Sequence, residues 1–125
     1  MNTKRMNPQE LNLQLAHFCG TQNYYEHRTI GQDKLLLTDG CHFLREQARC
    51  YWLFDLISSY QYQIGNVHFQ NWKLKKTGSI GWIVSASDGE YNRLVKQNIP
   101  YSDFPLEEGI ELFFVDGVVM LPWEY

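Results

Sequence analysis

The sequence predicts an α+β fold: an antiparallel sheet of about five to seven strands with two or three helices packed on one face. Three observations carry that expectation. Two segments place apolar residues at helical spacing, several others have the alternation or β-branched and aromatic content of strands, and Asp-Gly pairs sit where hairpins would turn. At 125 residues the chain suits a single domain spanning 1–125, with no room for two independent cores.

The elements follow in order. Asn7-Pro8-Gln9-Glu10 reads as a helix start, with Asn7 as N-cap, Pro8 as first helical residue and Glu10 as the reciprocal capping partner. Leu11, Leu15 and Phe18 then follow at helical spacing, and Gly20 is the expected stop. Residues 24–30 and 34–38 form a strand pair turned by Gly31-Gln32-Asp33. Thr38-Asp39-Gly40 breaks that pattern and leads into a helix over about 41–49. A second central helix covers about 51–62, because Leu53, Leu56, Ile57 and Tyr60 recur at i, i+3, i+4 and i+7. Residues 67–75 alternate as a strand, with Asn71 shifting the phase as a bulge would. Strands at 79–87 and 91–97 flank Asp88-Gly89, and strands at 110–115 and 118–121 flank Asp116-Gly117.

Composition narrows the function class. A formal charge of −3 argues against a strong basic field for nucleic acid and is too weak for a nucleic-acid mimic. No segment approaches the roughly 20 apolar residues needed to span a bilayer, so no membrane partner is expected. The N-terminus has two cations but no apolar stretch after them, so no secretory signal is expected. Cys19, Cys41 and Cys50 make an odd count and read as reduced thiols of a cytoplasmic protein.

The stretches C-G-T-Q-N-Y-Y-E-H at 19–27, L-L-L-T-D-G at 35–40, Y-W-L-F-D-L-I-S-S-Y-Q at 51–61, F-Q-N-W-K-L at 69–74 and D-G-V-V-M-L-P-W-E-Y at 116–125 span nearly the whole chain. Together they resemble a family of small uncharacterised bacterial proteins, a domain of unknown function. The resemblance implies a cytoplasmic bacterial protein, with some members on mobile elements, and implies no activity. Cys41, Arg45 and Cys50 stand outside it as variable features.

Several constellations could carry chemistry. His17-Phe18-Cys19 and Cys41-His42 lack the spacings by which one element presents two metal ligands, so no metal and no cofactor are expected. A Cys41 nucleophile at a helix N-terminus would need a base from farther along the chain. The Asp-Gly pairs lack calcium-loop spacing and are explained by turns. Lys73, Lys75 and Lys76 read as guards of an edge strand.

Aromatics are the stronger signal. Eight Tyr, seven Phe and four Trp are many for one small core, so the rings either cover a broad single-layer sheet beneath the helices or form a binding surface. The candidate binding residues are Tyr60, Tyr62, Trp72 and Trp123, with Trp82 as a further ring and Asp55 as an acid among them. Asp55 shares a stripe with Ser58, Ser59 and Tyr62, a narrow polar seam where a carboxylate needs donors from a loop backbone, an indole or an Arg.

The leading reading is a small non-enzymatic module that binds another protein, and a homodimer through the sheet edge or an aromatic face is left open. The mobile-element association of the resemblance suggests an inhibitor of a bacterial defence system such as CRISPR. The alternative is a small enzyme or ligand-binding domain with a pocket between helices and sheet containing Asp55 and Asp39.

Overall fold

The computed structural model describes residues 6–125. Helices α1 (Pro8–Leu15), α2 (Asp39–Ala48) and α3 (Tyr51–Ile64) pack on a sheet of seven strands. The strands are β1 (Tyr25–His27), β2 (Leu35–Leu37), β3 (Phe69–Thr77), β4 (Gly81–Ser87), β5 (Arg93–Ile99), β6 (Ile110–Val115) and β7 (Val118–Met120). Their order is β1-β2-β7-β6-β3-β4-β5, antiparallel throughout except for the β2–β7 pair.

Local chemistry accounts for most boundaries. Asn7 Oδ1 accepts from the Glu10 N–H at 2.8 Å, and Pro8 fills the position whose N–H would be idle. The first helix ends at Leu15, short of the expected Gly20 stop, in a tightened turn where the Leu15 carbonyl accepts from the Phe18 N–H at 3.3 Å and from the Trp123 indole at 3.0 Å. Asp116 and Gly117 both have positive φ, 50° and 86°, which is the two-residue turn whose twist matches its strands. Asp88-Gly89 instead opens a longer loop, in which Asp88 accepts from the Glu90 N–H and the Asn92 side chain.

Asp39-Gly40 is not a turn. The α2 helix starts at Asp39 rather than near Cys41, capped by Thr38, whose hydroxyl accepts from the Cys41 N–H. Gly40 lies in its first turn because there is no space for a side chain. A Cβ there would stand 2.5 Å from Leu121 Cδ1 and 2.7 Å from Glu124 Oε1.

Asn71 is not a bulge either: β3 runs in unbroken register, with Asn71 opposite Ser87 on one side and Phe113 on the other. The buried row of β3 is Gln70, Trp72 and Leu74, so Gln70 is the polar residue that breaks the apolar alternation. It is satisfied internally, giving its amide to the Ile64 and Val67 carbonyls while Trp72 Nε1 donates to its oxygen at 3.0 Å. The only register shift described lies between Ala86 and Ser87, where β4 meets β5.

The core lies between the helices and this buried row. Trp72 and Trp82, both 1% exposed, fill it with Phe54, Ile57, Leu112 and Val119. Burial of such rings is a main driving force for the sandwich. Alternate residues of the same strands face the other way, where Tyr125 packs on Phe69 and Phe113.

Candidate functional site

Asp55 stands on α3, and its partners are a histidine and a threonine rather than an indole, an Arg or a loop backbone. His27 Nε2 lies 2.7 Å from Asp55 Oδ1, and the Thr29 hydroxyl donates to the same oxygen at 2.7 Å. Arg45 Nη1 reaches the other ring nitrogen, His27 Nδ1, at 2.9 Å. A guanidinium only donates, so Nδ1 accepts and the ring proton sits on Nε2, pointed at the carboxylate. His27 is 4% exposed and Arg45 8%, whereas the Asp55 side chain is 47% exposed.

Arg45 organises a wider cluster. Its Nε donates to Glu46 at 3.1 Å, its Nη2 reaches His42 Nδ1 at 3.3 Å, and its guanidinium lies 4.9 Å over the Tyr51 ring. The Tyr51 hydroxyl donates to Glu46, and His42 stacks on Tyr25 with ring centres 3.8 Å apart. The Tyr51 phenol holds the Glu46 carboxyl below its usual range, and that carboxylate in turn raises the phenol. Sequence reasoning passed over Arg45 and His27, because partners on separate elements leave no spacing to read.

The chemistry of the cluster is that of a clamp. Both nitrogens of His27 are engaged, so the imidazole has no lone pair to offer a substrate. Ser58 and Ser59, the hydroxyls along the Asp55 stripe, donate to the Asp33 and Leu56 carbonyls instead.

Asp39 is held elsewhere, accepting from the Gln22 N–H at 2.9 Å, which lowers its pKa. None of the five principal clefts is lined by Asp39 or Asp55. The crevice between α3 and the sheet, bounded by Leu53, Trp72, Val84 and Leu112, has no room for a water molecule. The expected pocket joining the two acids is therefore absent from these clefts.

The candidate aromatics divide. Trp72 and Trp82 are core, so neither presents a ring to a partner; their size went to filling the space under the helices. Tyr60 is part-buried, tilts against Trp72 and donates to Gln97 Oε1 at 2.6 Å. Tyr62 is 98% exposed. Trp123 is half-exposed and pinned by its indole to α1. Its neighbour Glu124 accepts from Thr38 Oγ1 at 2.6 Å and from the Gly40 and Leu121 N–H groups, so the C-terminus closes the start of α2.

The open face of the sheet holds what sequence reasoning missed. Phe69 is opposite Val115, Phe113 opposite Met120, and Val115 opposite Val118, and cross-strand partners share a face. Phe69, Phe113 and Tyr125 form a ring cluster with centres 4.9 to 5.8 Å apart, and Tyr125 is 73% exposed. Lys73 and Lys75 lie on the same face. They are not edge guards, because β3 is flanked by β4 and β6 and the edges are β1 and β5.

Cys19 is exposed, while Cys41 and Cys50 are buried, all three as free thiols. Burial raises the Cys41 thiol well above its usual range, the wrong direction for a nucleophile. Among the described residues no group of three or more His, Cys, Asp or Glu converges on a metal-sized point, and no helix is long and apolar enough to cross a membrane.

The model of a family of unknown function (DUF6876) matches residues 9–125, so the chain belongs to that family. No curated protein and no solved structure matches it.

Proposed function

We propose that this chain is a non-enzymatic module that binds another protein through the open face of its sheet. The observation that carries the reading is the partly exposed apolar row formed by Phe69, Phe113, Val115, Val118, Met120 and Tyr125. Contiguous apolar surface of this kind, rimmed by charge, is the ordinary mark of a protein contact site. Large rings there give contact area for little lost rotamer freedom.

The finer role rests on the resemblance alone. An inhibitor of a bacterial defence system such as CRISPR, acting in the cytoplasm of a host that carries the mobile element, would use such a surface. No individual residue selects that role over other protein partners.

The test is affinity capture from cells of the native host with the wild-type chain and with Phe113→Glu and Val118→Lys variants. A stoichiometric partner held by the wild type and lost by both variants, at unchanged thermal stability, supports the reading. A partner retained by both sinks it. Light scattering on the same proteins separates the homodimer case, in which the variants lose self-association instead.

A further inference from the structure

Beside the aromatic row, the open face carries a cleft of about 190 Å³ lined by Asn71, Lys73, Ser85, Ser87, Tyr91 and Arg93. Strand register puts these side chains together. Asn71 is opposite Ser87 and Lys73 opposite Ser85, and the shift between Ala86 and Ser87 sets Arg93 opposite Ser87 on the far side. At Lys73 the cleft adjoins a second one, of about 400 Å³, which runs past Glu111 to the half-exposed Trp123 ring. Arg93 stands on β5 and Glu111 on β6, with β4 and β3 between them. Strands lie about 4.8 Å apart, so the groove crosses about 14 Å, the reach of roughly four extended residues.

The lining does not select an ion. Lys73, Lys75 and Arg93 are matched by Glu90, Glu108 and Glu111, and Lys96, opposite Ser85 on the same face, tips the balance by one charge only. An anion meets carboxylates here, and a cation meets ammonium and guanidinium groups. What the groove lacks is a donor. Asn71 Oδ1 is the one buried side-chain oxygen or nitrogen among the described residues without a hydrogen-bond partner. Such an acceptor is costly to keep, and in native structures it calls for an explanation. The oxygen is shut off from water, yet its residue lines the cleft. The last torsion of an asparagine is soft, so rotation of the amide turns that oxygen to a donor arriving there. In this balanced lining the fitting donor is a neutral N–H. Main-chain N–H groups inside a helix are already engaged, whereas those of an extended segment are free to give.

We propose that this groove takes an extended peptide segment of the partner, which gives a main-chain N–H to Asn71 Oδ1. The segment's alternating N–H and C=O groups match a lining of alternating sign, with Ser85 and Ser87 able to donate or accept as the backbone requires. Tyr91, fully exposed in the free chain, stands at one end of the groove. Trp123 stands at the other, its indole N–H already given to the Leu15 carbonyl, so it offers the segment ring surface alone. Asn71 is opposite Phe113, so side chains of the same segment reach the aromatic row. This inference rests on the protein-docking reading and names what the partner brings: unpaired backbone rather than a preformed helix.

The experiment starts from a phage-displayed library of random linear heptapeptides selected against the full chain. Enriched peptides should shift the backbone amides of residues 71–73, 85–87, 91–93 and 110–111 in a ¹H–¹⁵N titration. Each amide of such a peptide is then N-methylated in turn. One methylation should weaken binding to the wild type about tenfold, the worth of one hydrogen bond to a buried acceptor, and should cost nothing in Asn71→Leu. Asn71→Leu itself should bind the unmethylated peptide about tenfold more weakly, with a thermal midpoint no lower than the wild type because an orphaned acceptor is gone. Methylation that costs the same in both chains overturns the proposal, as does a lowered midpoint or a library that enriches nothing. A single-stranded oligonucleotide that displaces the peptide also overturns it. Shifts confined to residues 113, 115, 118 and 120 overturn the groove and leave the docking face standing. Peptides that bind the groove while Phe113→Glu and Val118→Lys keep the native partner support the groove and sink the apolar row as the contact.

Discussion

His27 and Asp55 meet at 2.7 Å with the imidazole proton directed at the carboxylate, because Arg45 occupies the other ring nitrogen. That single contact ties β1 to α3, and its extension to Arg45 ties both to α2. The acid in the apolar run of α3 is thus the outer end of a buried relay.

Asp55→Ala leaves the buried His27 N–H without an acceptor. Loss of about 1–2 kcal/mol in urea denaturation is expected, moderated because solvent reaches the Asp55 side chain. Asp55→Asn keeps an acceptor oxygen and should cost less. Full stability in both variants, with partner capture abolished, would show that Asp55 is a contact residue instead.

Arg45 holds His27, His42 and Glu46 at once from a buried position. Arg45→Lys retains the charge but not the fork and should cost about 2–4 kcal/mol, since buried partners are left unpaired. A lysine variant as stable as wild type in thermal unfolding would refute the clamp.

The Glu46 carboxyl is held below its usual range, first by the Tyr51 hydroxyl, then by Arg45. A depressed folded-state pKa means stabilisation that is full above the ordinary glutamate value of about 4.3 and is lost as pH falls through the lowered one. Asp39, lowered chiefly by the Gln22 N–H, acts in the same direction. Stability measured from pH 6 to 2 should therefore fall on the acid limb, and Glu46→Gln with Asp39→Asn should flatten that fall. An unchanged slope in the double variant would contradict both assignments.

Gly117 and Gly40 should fail for different reasons. Gly117→Ala meets open space but a φ of 86°, and strain of about 1–2 kcal/mol is expected. Gly40→Ala has ordinary helical geometry but collides with Leu121 and Glu124, and should loosen the C-terminal closure of α2. Chemical denaturation gives the costs, and amide exchange at Gly40 and Cys41 distinguishes them: protection there falls for Gly40→Ala only. Equal loss in both would undo the distinction.

Much of the fold could be read before any coordinates. Asn7-Pro8, the i, i+3, i+4, i+7 stripe of α3 and Asp116-Gly117 act locally, so their meaning needs no neighbours. Reading failed where one residue had two uses. Gly40 looked like a turn residue but is a packing residue, and Trp72 looked like a surplus ring but fills the core. Gln70 hid the phase of β3, because its polarity is satisfied by groups distant from its own strand pattern.

The sequence by itself determined the α+β class, the starts of α1 and α3 and the Asp116-Gly117 hairpin, since backbone propensity and hydrophobic period operate within a few residues. Only the tertiary structure decided the Arg45–His27–Asp55 relay, the docking of Glu124 on α2, and the meeting of Phe69, Phe113 and Tyr125 on one face of the sheet. Those depend on strand order and register, which couple residues far apart in the chain. A shift of one residue would turn every side chain of a strand to the opposite face.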